Sequence, residues 1–198
     1  MASRREGSAM AIGTPHPRRQ IHTRQIIGRG YVRDDGLFDI EADLIDHKPF
    51  VYEDRERGEM QPGAPIHQMR VRVTVDNDLV VRDIECEMPD VPFDHCHGAL
   101  GSAPSLVSTS VGPGWRRAVD ERMRGRKGCT HLRELLYCVG TVAFQTISPY
   151  REQFMSELGS PKSGKDGLPF FIDQCFSWSV DSPVVRKYFP IYFQGKDD

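Results

Sequence analysis

The segment from Gly36 to Leu44 alternates without a break: Phe38, Ile40, Ala42 and Leu44 are apolar, and Asp39, Glu41 and Asp43 between them are acidic. Successive side chains of a β-strand point to opposite faces, so this period of two fits a strand with one face on a core and the other in water. The period returns at His67, Met69, Val71, Val73 and Val75, which alternate with Gln68, Arg70, Arg72 and Thr74. Asp76-Asn77-Asp78 supplies a turn, and Leu79 to Met88 reads as the returning strand of a hairpin. Arg70 and Arg72 would complement the acidic face of the strand at 37–45 if the two pair.

These patterns predict an antiparallel β-sheet with strands near 24–33, 37–48, 66–76 and 79–88. Residues 53–65, punctuated by Gly58, Pro62, Gly63 and Pro65, read as a polar loop. Residues 89–114 are rich in Pro, Gly and Ser and read as a long connection, a kind of segment that often carries function. A short helix follows near 115–124, with Trp115, Ala118, Val119 and Met123 as its apolar side. A longer helix near 130–147 carries Leu132, Leu135, Leu136, Val139, Val142 and Ala143 at three- and four-residue spacing. Thr130 is its expected N-cap and Ser148-Pro149 its expected stop. After a polar connection at 159–168, the tail is aromatic: Phe170, Phe171, Phe176, Trp178, Tyr188, Phe189, Tyr192 and Phe193. Such a tail must dock on the body or on a second copy, since leaving it in water exposes a large apolar patch. Strands followed by helices give an α+β class. Residues 1–20 read as a flexible basic leader and 21–198 as a single domain.

Composition removes several function classes. The chain is 38% hydrophobic, enough for a core, and its 26 Lys+Arg against 28 Asp+Glu leave a net charge of −2. That balance argues against nucleic acid as a partner, and the basic 116–133 segment lacks interleaved aromatics for base stacking. No apolar run reaches the roughly 18 residues of a membrane span, and the first residues contain no apolar stretch like that of a secretory signal. Five scattered cysteines do not make a small disulfide scaffold, so a reduced, cytoplasmic protein is expected. The phosphate-binding GxxxxGK[ST] loop, the dinucleotide GxGxxG, the zinc-protease HExxH and the hydrolase GxSxG are all missing.

Thiols and imidazoles gather at three places: Asp94-His95-Cys96-His97, Gly128-Cys129-Thr130-His131, and Asp173-Gln174-Cys175. At the mouth of the second helix, unsatisfied N–H groups and the helix dipole favour an anion, which lowers the pKa of a thiol such as Cys129. His131 beside it is suited to acid–base work near neutral pH. His67 opens the central hairpin in the core-facing register, from which it can meet His131. The common fate of such residues is blander: a satisfied core histidine, or cysteines packed as small hydrophobes. The row Asp39, Glu41 and Asp43 fits a solvated face paired to arginines; alternatively Asp39 or Glu41 faces the cavity of His67 as an acid–base carboxylate.

The runs HTR…GYVRDDGLFDIEADLIDHKPF, PIHQMRVRVTVDNDLVVRDIE and GCTHLRELL together resemble the bacterial family called domain of unknown function 2889, from about His22 to about Phe193. The resemblance brings no activity with it. It implies that Arg33, Asp35, Asp39, Glu41, His67, Cys96, Cys129, His131 and Cys175 fall on motif positions. Cys96, Cys129, His131 and Cys175 would form a Cys₃His set suited to one zinc or iron ion held as a structural or interaction module. The reading preferred over that module is a small enzyme without a cofactor, acting on a small anionic or aromatic molecule, with elimination as the reaction. Its expected catalytic residues are His131, His67, Asp39, Glu41 and Cys129, with Arg33, Tyr31 and Trp178 holding the substrate.

Overall fold

The computed structural model describes residues 13, 15–154, 168–169 and 171–195. Most of the expected leader, the connection 159–167 and Phe170 lie outside the described residues. The strands are β1 (Thr23–Val32), β2 (Phe38–His47), β3 (Tyr52–Asp54), β4 (Gly58–Met60), β5 (Pro65–Val75) and β6 (Val81–Asp90). Four of them form an antiparallel sheet in the order β1-β2-β5-β6. The other two, β3 and β4, pair with each other inside the segment read as a plain loop. They are three residues each, too short to show a period, and Gly58, with φ of 72°, supplies the turn geometry.

The alternation sorts the sheet into two unlike faces. Phe38, Ile40, Ala42 and Leu44 of β2 and Met69, Val71, Val73 and Val75 of β5 are buried on one side. Helix α1 (Trp115–Met123) and helix α2 (Thr130–Phe154) lie on that side, with Leu132, Leu135, Leu136, Val139, Ala143 and Ile147 of α2 in the same core. Trp115 closes the helix pair by donating its indole N–H to the Leu136 carbonyl. On β1 the helix-facing positions opposite Ala42 and Ile40 are Gly28 and Gly30. A Cβ at Gly28 would stand 2.5 Å from Val142 Cγ2, and one at Gly30 would stand 1.8 Å from Thr146 Oγ1. Glycine here is what lets α2 lie close over the edge strand.

Helix α2 does not stop at Ser148-Pro149 but runs through Pro149 to Phe154. Pro149 removes one N–H, and the carbonyl that loses it, four residues back at Gln145, belongs to an exposed residue that water can serve. The connection 89–114 is also more ordered than expected, with a 3-10 helical stretch at Asp94–Leu106 packed beside β6 and α1. In the C-terminal segment Phe171, Trp178 and Phe189 pack edge to face at 5.0–5.7 Å between ring centroids. The short helix α3 (Pro183–Tyr188) is capped by Ser182, while Phe176 and Ile191 remain exposed. Among the described residues no helix is long and apolar enough to cross a membrane.

Candidate active site

Antiparallel pairing brings the start of β1, the end of β2 and the start of β5 to one end of the sheet, and the N-terminus of α2 reaches the same end. The apolar row of β2 continues there with a charged member. Asp46 follows Leu44 at the spacing of two, so it points to the helix side, and its side chain is only 1% exposed. In register, Arg24 of β1 lies opposite Asp46 on one side and His67 of β5 on the other. A polar row of three strands therefore closes the end of the apolar core.

Asp46 is heavily partnered. Arg24 grips it with a two-pronged fork, Nε donating to Oδ1 and Nη2 to Oδ2, both at 2.7 Å. His22 Nε2 lies 3.2 Å from Oδ1, and His67 Nδ1 lies 3.0 Å from Oδ2. His131 Nε2 stands 3.9 Å from the same Oδ2. Arg24 also donates to Glu134, which ties the first turns of α2 to the edge strand. Burial works to raise the Asp46 pKa, but the hydrogen bonds and charge of Arg24, with His67 and His22, outweigh it and hold the carboxyl below its usual value of 3.8. An ionised carboxylate only accepts, so His67 Nδ1–H donates to it and Nε2 is the basic nitrogen of that ring. Burial lowers the His67 pKa below 6.5 despite the pull of Asp46.

The two imidazoles touch: the His67 and His131 ring centroids are 3.9 Å apart, with planes tilted by 37°. On the far side of His131, Cys129 Sγ lies 3.8 Å from Nδ1. Cys129, not Thr130, precedes the first helical residue and acts as the cap. Its carbonyl accepts from Arg133 N–H at 3.1 Å. The backbone N–H groups of Leu132 and His131 favour its ionised sulfur at a place normally taken by a hydroxyl or carboxylate oxygen. Burial raises the pKa of this thiol, yet the contact with His131 and the two backbone donors bring the net value below 9.0. One carboxylate thus faces three imidazoles, those of His22, His67 and His131, and a thiol stands behind the last of them.

Three of the ten expected site residues meet here: His67, His131 and Cys129. The carboxylate is Asp46, and Asp39 and Glu41 are elsewhere. They sit on the opposite face of β2, where Asp39 accepts from Thr74 Oγ1 at 2.7 Å and pairs with Arg33, and Glu41 pairs with Arg72 at 2.9 Å. Asp39 is also seven residues along the strand from Asp46, about 23 Å at strand rise. Arg33 and Tyr31 share that far end, Arg33 tied to Asp35 at 2.7 Å and Tyr31 exposed beside Asp39. Trp178 is held in the C-terminal ring cluster. The Cys₃His set does not assemble. Cys96 packs against the core from the 3-10 stretch and Cys175 is exposed in the C-terminal segment. His97, beside Cys96, has its ring nitrogens 3.0 Å from the Met88 and Asp94 carbonyls. Among the described residues the set with metal-ligand spacing is Asp46, His67 and His131, with donor atoms within 4.8 Å of one another.

Asp46, Arg24 and His22 escaped the sequence reading, although the parity of β2 already assigned Asp46 to the core side. A cavity of about 460 Å³ lined by Arg19, Gln20, Pro49 and Phe50 is formed by the segments that lead into His22 and out of Asp46.

No curated protein and no solved structure matches the chain. A family model does match, over residues 22–145 of the 198, a span that contains the whole Asp46 cluster. The chain belongs to the family described as protein of unknown function DUF2889.

Proposed function

We propose that the chain is an enzyme that moves protons on a small anionic or aromatic molecule, with His67 as base and His131 as acid. The observation that carries this reading is the buried Asp46 carboxylate facing both rings, at 3.0 Å from His67 Nδ1 and 3.9 Å from His131 Nε2. Each ring turns one nitrogen toward Asp46 and keeps the other for exchange. His67 Nε2 is the atom that takes a proton next to a carbonyl, and His131 Nδ1, on the Cys129 side, is the atom that protonates the leaving group. Elimination, the preferred reaction, needs only such a base and acid, as does isomerisation by a proton shift. Five cysteines that all stand free support a reducing, cytoplasmic setting.

The test is a panel of small carboxylic acids with a leaving group on the β-carbon, followed by the ultraviolet absorbance of the unsaturated product. Turnover by the wild type that drops about 100-fold or more in His67→Asn and His131→Asn, in variants that keep a cooperative melt, is the expected result. Turnover that survives both changes overturns the assignment.

A second reading has its own observation. Donor atoms around a cation at about 2.1 Å stand about 3.0–3.4 Å apart, and the 3.0 and 3.9 Å separations about Asp46 Oδ2 approach that spacing. Under this reading Asp46, His67 and His131 hold one zinc or iron ion. Elemental analysis of the purified protein, with a thermal melt before and after chelation, separates the two. A stoichiometric ion whose removal lowers the melt favours the metal centre.

A further inference from the structure

The proton-transfer reading uses His131 and leaves its other neighbour idle. Cys129, His131 and Asp46 stand in a line of thiol, imidazole and carboxylate, with Sγ 3.8 Å from Nδ1 and Nε2 3.9 Å from Oδ2. These are the three parts of an activated nucleophile: an atom that attacks, a base that takes its proton, and a carboxylate that orients the base. Catalytic contacts of this kind are often long before substrate binds and tighten in the complex. The carboxylate is the most constrained part, fixed by the Arg24 fork and nearly sealed from water. The thiol is half-buried, at the N-terminus of a 25-residue helix.

From this array we propose that Cys129 is a covalent nucleophile for acyl groups, so that the chain also cleaves esters or thioesters of small acids. The thiol passes its proton to His131 Nδ1, and Sγ attacks the acyl carbon. As the bond from that carbon to the alcohol or thiol breaks, the departing oxygen or sulfur takes the proton back from His131, leaving an acyl group on Cys129. A water molecule then gives a proton to His131 while its oxygen attacks the same carbon. The sulfur–carbon bond breaks, the acid is released, and the thiol is restored with the proton from His131. Nothing is oxidised or reduced, and water is the only co-reactant.

The other cysteines sharpen the contrast. Burial pushes the Cys86 thiol up to about 12, and burial also raises Cys138. Neither has a histidine within hydrogen-bonding distance among the described contacts, and Cys175 is exposed in the C-terminal segment. Reactivity set by exposure alone would rank Cys175 first; reactivity set by the array ranks Cys129 first.

The experiment uses p-nitrophenyl acetate with the full chain, followed by intact mass measurement and peptide mapping. A burst of p-nitrophenolate with about one acetyl group per chain, mapped to Cys129 and lost in Cys129→Ser, is the expected result. His131→Asn should slow the burst about 100-fold. In the unmutated protein, iodoacetamide at pH 7 should alkylate Cys129 before Cys175, a readout that stands even if a variant fails to fold. No acetyl adduct, an adduct on Cys175, or alkylation of Cys175 first overturns the inference. Elimination without acylation leaves the proton-transfer reading intact and removes this one; acylation without elimination does the reverse.

Discussion

The two faces of the one sheet carry the same kind of ion pair in opposite settings. On the open face, Asp43 pairs with Arg29 and Arg70, Arg70 with Glu87, and Arg72 with both Glu41 and Glu85. Across this face β2 and β6 are acidic and β5 is basic, so the rows form a ladder of alternating charge. On the helix side Arg24 pairs with Asp46, and the Asp46 side chain is sealed, 1% exposed against 20% for Asp43, while Arg24 reaches water at 31%. A carboxylate in water that loses a partner is resolvated; one in the core is left with its charge and few donors. The difference explains why a ladder can be a surface ornament while a single buried carboxylate organises a site.

The largest effect expected from breaking this contrast is at Asp46. Asp46→Asn removes the charge opposite Arg24 and puts a donating amide where one of the two oxygens accepted from Arg24 or His67, and should cost about 3 kcal/mol, or about 9 °C in melting temperature. Asp43→Asn on the other face of the same strand should shift the melt by a small fraction of that. Thermal melts of the two variants side by side check the comparison, and equal losses would break it.

Steric contrast should rank next. Gly30→Ala places a methyl group 1.8 Å from Thr146 Oγ1 and 2.6 Å from Thr146 Cβ, so α2 must shift. The expected loss is about 2 kcal/mol. Tyr31→Ala, one position along on the open face and 45% exposed, should be close to neutral in a denaturant titration.

How far the sequence reveals these features depends on whether a feature is local. Strand period and helix spacing are local, and the four long strands and the starts of both helices lie within a few residues of their expected places, while α2 overruns its expected stop to Phe154. Asp46 was equally legible in principle, since its parity matches Phe38, Ile40, Ala42 and Leu44. A charged residue ends an apolar count, however, and the partner that makes its burial tolerable, Arg24, is known only once β1 pairs with β2. The same reasoning applies to the start of α2: Cys129, which precedes the first helical residue and touches His131, is not an ordinary capping residue. The Cys₃His set failed for the opposite reason. It required three separate segments to converge, and nothing in their spacing demanded that they do so.

The pH dependence of stability should also distinguish the faces. The folded His67 pKa lies below 6.5, so between the folded value and 6.5 the unfolded chain binds more protons than the folded one. Stability from this residue is present above about 6.5, falls as pH drops below it, and levels off below the folded value. Asp46, depressed below 3.8, acts in the same direction at lower pH: its contribution is present above 3.8 and is lost as pH falls through the folded value. Urea titrations from pH 7.5 to 5 should show the first decline, and His67→Asn should flatten it.

The smallest effect should come from the ladder itself, and salt makes it diagnostic. The Arg70 side chain is 50% exposed, and when it is removed Asp43 keeps Arg29 while Glu87, 56% exposed, returns to water. Arg70→Ala should therefore cost no more than about 0.5 kcal/mol in dilute buffer. In about 1 M salt, where the screening length falls to about 3 Å, even that difference should vanish. The loss caused by Asp46→Asn should persist in the same buffer, because ions do not reach a sealed carboxylate and the geometry of its fork is unaffected by screening. A double comparison of these variants at low and high salt asks directly whether burial, and not charge count, separates the two faces. If salt erases both losses, Asp46 is one more rung of the ladder, and its hold on His67 and His131 is too weak to orient either ring.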